Sequence, residues 1–140
     1  MTRTRRYCAP EVYAEESRGR SADVFSLECI FLEIVTVVQD FQLDEFAEFR
    51  SHITDPREEE RDYSFHGNLE NVSHWIDKVS VAWAKEQSRR GMTSVWKQGV
   101  IRRMLLKNPE ERPTASTVLE ELGGARDCCA QEQEVFEAEF

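Results

Sequence analysis

Ser21-Ala22-Asp23-Val24-Phe25-Ser26-Leu27-Glu28-Cys29-Ile30-Phe31-Leu32-Glu33-Ile34-Val35-Thr36-Val37-Val38 is the stretch whose reading decides the fold. Its apolar residues recur on every side of a helix and leave almost no polar face, so a helix here must be buried all round. The β-branched run from Ile34 to Val38 also suits a strand. Against that, Ser21 stands as an N-cap, and Asp23 occupies the first turn, where the helix dipole favours an acid. A helix over 21–38 follows. Asp23, Glu28 and Glu33 interrupt the run, which is short of the roughly 20 apolar residues a membrane span needs, so a span is excluded.

Downstream, Phe41, Leu43, Phe46 and Phe49 mark a short helix-like stretch, and the acidic, polar run over 54–64 reads as a solvated loop. Leu69, Val72, Trp75, Ile76, Val79 and Trp83 then fall on one face at helical period, with Asn68 placed to cap them. Met92, Val95, Trp96, Val100, Met104 and Leu105 repeat the pattern until Asn108-Pro109 stops it. A final short helix over 114–122 is bounded by Pro113 and Gly123. Upstream, Pro10 and Gly19 break the first twenty residues into coil, with one short helix around Glu11 to Glu15. The fold class is mainly α: one domain over 1–124 and an acidic tail over 125–140.

The chain of 140 residues and 16.3 kDa supports a single core. Acids outnumber bases 27 to 18, and a net charge of -9 repels a phosphate backbone, which excludes nucleic acid as a partner. Cys8, Cys29, Cys128 and Cys129 have neither zinc-ligand spacing nor the pattern of a disulfide framework, and no apolar signal segment follows Met1. An intracellular, reducing compartment fits, cytoplasmic or nuclear. No membrane partner is expected. His74, beside Trp75 on an amphipathic pattern, reads as a surface or boundary histidine. No nucleophile–base pair and no metal-ligand cluster stands out, so no catalytic or metal-binding residue is nominated.

Three phrases in order carry more information: Thr4-Arg5-Arg6-Tyr7-Cys8-Ala9-Pro10-Glu11, then Ser21-Ala22-Asp23-Val24-Phe25-Ser26-Leu27, then Asn108-Pro109-Glu110-Glu111-Arg112-Pro113-Thr114-Ala115. Together they resemble the C-terminal lobe of eukaryotic serine/threonine protein kinases, over about Thr4 to Leu122. The resemblance implies that Ala9-Pro10-Glu11 closes the activation segment and that Glu11 and Arg112 form a buried ion pair. It implies that Thr4 belongs to the loop holding the residue after the phosphoacceptor, in a form typical of serine/threonine kinases. Asp23 matches an aspartate that accepts hydrogen bonds from the catalytic-loop backbone. Glu33 matches a glutamate that meets a substrate arginine in basophilic kinases; the residue alone reads equally as a solvated helix acid. Glu28 departs from the family pattern by standing where a glycine is usual, and a buried unpaired carboxylate there costs several kcal/mol or stays protonated.

The family's phosphoryl transfer uses a glycine-rich phosphate cover, a strand lysine, a His-Arg-Asp loop and an Asp-Phe-Gly metal holder. None of these occurs in the 140 residues. The expectation is a C-lobe without the N-lobe sheet and catalytic loop, holding no cofactor itself although its parent family uses ATP and Mg, and catalytically silent alone. Its start inside the activation segment reads as a gene-model boundary or a degenerate copy. The alternative is a non-catalytic, pseudokinase-like module that binds a protein substrate or a partner kinase.

Overall fold

The computed structural model describes residues 5–16, 19–57, 60–90 and 98–122. A 3-10 turn (Arg5–Tyr7) leads into the short helix α1 (Pro10–Tyr13), and α2 (Arg20–Val38) follows. Then come α3 (Leu43–Arg50), an antiparallel hairpin of β1 (His52–Asp55) and β2 (Glu60–Asp62), and the long helix α4 (Leu69–Arg90). α5 (Gln98–Met104), a 3-10 turn (Pro109–Glu111) and α6 (Ala115–Glu121) complete the described chain, which is mainly α as expected. No helix among the described residues is long and apolar enough to cross a membrane.

α2 is the central element, packed on α3, α4 and α5. Its buried side chains Phe25, Cys29 and Leu32 meet Phe46 of α3, Val72, Trp75, Ile76 and Val79 of α4, and Val100 and Met104 of α5. Trp75 holds the layers in register. Its ring stacks on Phe46 at 4.9 Å, and its indole N–H donates at 3.0 Å to Thr36 Oγ1, which itself donates to the Leu32 carbonyl at 2.7 Å. The buried indole therefore has its polar atom satisfied, as a buried tryptophan requires.

Four sequence expectations are corrected. α2 is not buried all round: Leu27, Ile30, Phe31, Ile34, Val37 and Val38 remain exposed along one face. Ser21 does not cap α2. The N-cap is Gly19, and the Ser21 hydroxyl, one residue inside the helix, donates to the Pro109 carbonyl at 2.7 Å. The 54–64 run is a hairpin, pairing His52 with Asp62 and Ile53 with Arg61. Polar cross-links hold it where no apolar face exists: Thr54 Oγ1 donates to the Glu60 carbonyl, and Arg61 donates to Ser51 Oγ and Glu48. Asn68 precedes α4 but spends its side chain elsewhere. Its amide donates to the carbonyls of Asp62 and Ser64 while Oδ1 pairs with His52 at 2.6 Å, tying the hairpin to the helix start. By contrast, Thr114 does cap α6, its Oγ1 accepting from the Thr117 N–H. Met92, Val95, Trp96, Cys128, Cys129 and the 125–140 tail lie outside the described residues.

Candidate functional site

The segment from Arg5 to Tyr13 is laid against the helical core by contacts on both sides. The Tyr7 carbonyl accepts from Ser26 Oγ of α2 at 2.8 Å, and the Arg6 carbonyl accepts from the Phe65 N–H at 3.0 Å. Ala9 is buried, Pro10 opens α1, and the Tyr13 ring lies 4.5 Å from His66. Burial, the largest influence on His66, holds its pKa below the usual imidazole value, against an opposing pull from Asp62.

Glu11 and Arg112, 101 positions apart in sequence, meet inside the protein. Nη1 of Arg112 donates to Oε1 of Glu11 at 2.6 Å and Nη2 donates to Oε2 at 2.8 Å, a planar fork on a planar carboxylate. The remaining N–H groups are also used: Nε donates to the Leu106 carbonyl, Nη2 to the Lys107 carbonyl and Nη1 to the Ser21 carbonyl. The guanidinium lies 5.0 Å from the centre of the Phe25 ring. Desolvation raises the Glu11 pKa, but the Arg112 hydrogen bonds, the residue's own backbone N–H and the Arg112 charge outweigh it, leaving the carboxyl below its ordinary value.

A second cluster surrounds Glu33 on α2. Its Oε2 accepts from the Tyr7 hydroxyl at 2.8 Å, and its Oε1 lies 3.9 Å from Arg6 Nη1 and 3.8 Å from Arg50 Nη2. Burial first, then the Glu33 hydrogen bond, raises the Tyr7 pKa. Arg50, at 1% exposure, lies against the edge-to-face pair of Phe46 and Phe65, its guanidinium 4.6 and 4.3 Å from the ring centres. Its Nε donates to the Tyr63 carbonyl at 2.9 Å, but neither Nη has a hydrogen-bond partner. Burial lowers its pKa. Sequence reasoning missed Arg50: a base at a helix C-terminus looks like a solvated partner of the dipole, and only the fold brings Phe65 over it.

Asp23 is exposed on the first turn of α2, and Thr4 lies outside the described residues. Glu28 is 1% exposed, with Oε1 unpartnered and its pKa pushed up to about 8 by burial. His74 is exposed. The structure thus joins Glu11 to Arg112 and sets Glu33 beside Tyr7, whereas Asp23 touches neither group.

Among known protein families, the protein kinase domain model matches residues 1–122. The chain belongs to the protein kinase family. No curated protein and no solved structure matches it.

Proposed function

We propose that this chain is the substrate-side helical lobe of a serine/threonine protein kinase and is catalytically silent by itself. The observation that supports it best is the Glu11–Arg112 fork, which fastens the end of the activation segment to the helical core. Such a fastening presents a peptide-facing surface without needing nucleotide. ATP and Mg do not fit the groups present. Glu11 is engaged by Arg112, Glu33 is held by Tyr7 beside two arginines, and Glu28 is buried with a raised pKa, so a phosphate–metal complex finds no free cluster of carboxylates among the described residues. Charge neutralisation and positioning make up nearly all of phosphoryl-transfer catalysis. Within this reading Glu33 faces a basic substrate side chain, but Arg6 and Arg50 already offset its charge and weaken that attraction.

Isothermal calorimetry with Mg-ATP, together with a phosphotransfer assay on a generic protein substrate, tests the proposal. No heat of binding and no transfer are expected. Saturable magnesium-dependent binding overturns it. The exposed apolar face of α2 favours a second reading, a non-catalytic protein-interaction module, which predicts a defined assembly instead of an insoluble product.

A further inference from the structure

Trp75 and Lys78 lie one turn apart on the same side of α4, and Glu45 and Phe49 do the same on α3, so the packing of α3 on α4 brings all four together. Phe41, from the connection between α2 and α3, completes the group. The Lys78 ammonium stands 4.6 Å from the Trp75 ring centre, 4.9 Å from Phe41 and 6.0 Å from Phe49, and it donates to Glu45 Oε1 at 2.6 Å. Phe46 stacked on Trp75 and the indole bond to Thr36 fix the central ring, and Phe41 meets it edge-on at 5.4 Å. Three rings and a carboxylate therefore form a built cation cage. Its mouth is open to water: Phe49 is 42% exposed, and the Lys78 and Glu45 side chains are 39% and 46% exposed.

The spacing suits a methylated cation. A methyl carbon bonded to nitrogen at about 1.5 Å and resting on a ring at about 3.5 Å sets that nitrogen about 5 Å from the ring. Phe41 and Trp75 stand at this distance, while Glu45 takes an N–H. We propose that the cage is a binding site for a dimethylated lysine side chain of a basic peptide, with Lys78 as the chain's own stand-in that the ligand displaces. Two methyl groups face Phe41 and Trp75, and the one remaining N–H donates to Glu45. Methylation keeps the positive charge and thins the hydration of the cation, so the ligand meets the rings at a smaller desolvation cost than Lys78 does. Lys78 gives way because its ion pair is exposed, where such pairs hold weakly, and its flexible stem swings the ammonium into water. Exposed Asp40 and Asp44 lie beside Phe41 and Glu45 in the chain, which makes the approach acidic and suits a basic peptide.

Calorimetric titration of the full 140-residue chain with three versions of one short basic peptide tests the site. The versions carry lysine, dimethyl-lysine, or a neutral isostere in which an isopropyl group replaces the dimethylammonium. The dimethyl-lysine peptide is expected to bind saturably and about tenfold more tightly than either of the others. Lys78→Ser, which removes the stand-in, is expected to raise that affinity about tenfold. Glu45→Gln, at an exposed site, is expected to lower it about fivefold, and both variants keep the helical circular dichroism of the parent. Should either variant fail to fold, the wild-type titrations decide by themselves. Absence of saturable binding by the wild-type chain overturns the inference, as do equal affinities for the dimethylated peptide and its neutral isostere, weaker binding by a folded Lys78→Ser chain, or a folded Glu45→Gln chain that binds as the parent does.

Discussion

Arg112 and Arg50 are both buried guanidiniums, and they are held in opposite ways. Arg112 spends its N–H groups on one carboxylate and three carbonyls, joining the distant Glu11 and Ser21 to the nearby Leu106 and Lys107. Arg50 makes one hydrogen bond, to Tyr63, and otherwise lies against two phenyl rings set edge to face, with the Glu33 carboxylate 3.8 Å away. The first is a polar joint between elements. The second behaves as a packing piece, a cation stabilised by ring quadrupoles and shape. The contrast shows that burial of a charge does not by itself say what the charge is for; the partners do.

The largest expected effect breaks the polar joint. Removing Arg112 strands Glu11 in the interior, and Arg112→Ala is expected to cost about 3–5 kcal/mol in urea unfolding. Arg112→Lys recovers only part, because an ammonium cannot span both carboxylate oxygens. The Glu11→Gln, Arg112→Ala double variant is expected to lose clearly less than the two singles together. Additive losses below 1 kcal/mol each would remove the joint from the account.

Glu28 supplies the next test, being the buried charge with neither kind of support. Its folded pKa of about 8 lies above the ordinary 4.5, so the folded protein favours the protonated form. Its contribution is greatest below pH 4.5 and is lost as pH rises to about 8. Glu11 acts the other way, since its lowered pKa gives stability at neutral pH that is lost on acidification. Glu28→Gln is expected to stabilise the chain by about 3 kcal/mol at neutral pH and to flatten its stability between pH 4.5 and 8. Equal stability of variant and parent at pH 5 and pH 8, by thermal melts, would refute it.

For Arg50 the expectation is smaller. Arg50→Met keeps much of the volume, forfeits the cation–π attraction and leaves Glu33 with Tyr7 and Arg6, so a loss of at most about 2 kcal/mol is expected. A loss matching that of Arg112→Ala would erase the distinction between joint and packing piece. Least of all, Arg6→Ala at an exposed site is expected to shift stability by under about 1 kcal/mol. It is expected to increase the preference of the chain for an arginine-bearing peptide over its citrulline twin, read by fluorescence anisotropy, because Glu33 then keeps one arginine fewer.

α4 was legible because six apolar residues fall on one side at helical period, and the same pattern that showed α2 to be helical concealed its two environments. When every side of a helix is apolar, periodicity cannot tell the covered face from the bare one; that depends on which neighbours arrive. The hairpin was illegible because β1 and β2 are short, polar and mostly exposed, held by Thr54 and Arg61 instead of by an alternating apolar face. Within the site, Glu11 and Arg112 could be singled out because both sit in recognisable phrases, whereas Arg50 depends on Phe65 approaching from fifteen residues later in the chain. Glu28 stood out as a carboxylate in an apolar run, though only the fold shows which side of α2 it takes.

The Glu11–Arg112 contact also has a mechanical consequence. It closes a loop of about a hundred residues that contains α2, α3, the hairpin, α4 and α5. Tension applied at the two ends of the chain first loads the Arg5–Tyr7 turn, tied to Ser26 and Phe65, and α6, and then meets this clasp before the backbone between Glu11 and Arg112 is drawn out. While the fork holds, the loop behind it is shielded from the pull. Once the fork parts, the full slack of the loop becomes available at once, and the closure entropy that the clasp had withheld, which grows only as the logarithm of loop length, is returned to the chain. Pulled from its ends, the protein should therefore shed its terminal contacts and then part at a single pair of side chains before the loop behind that pair extends.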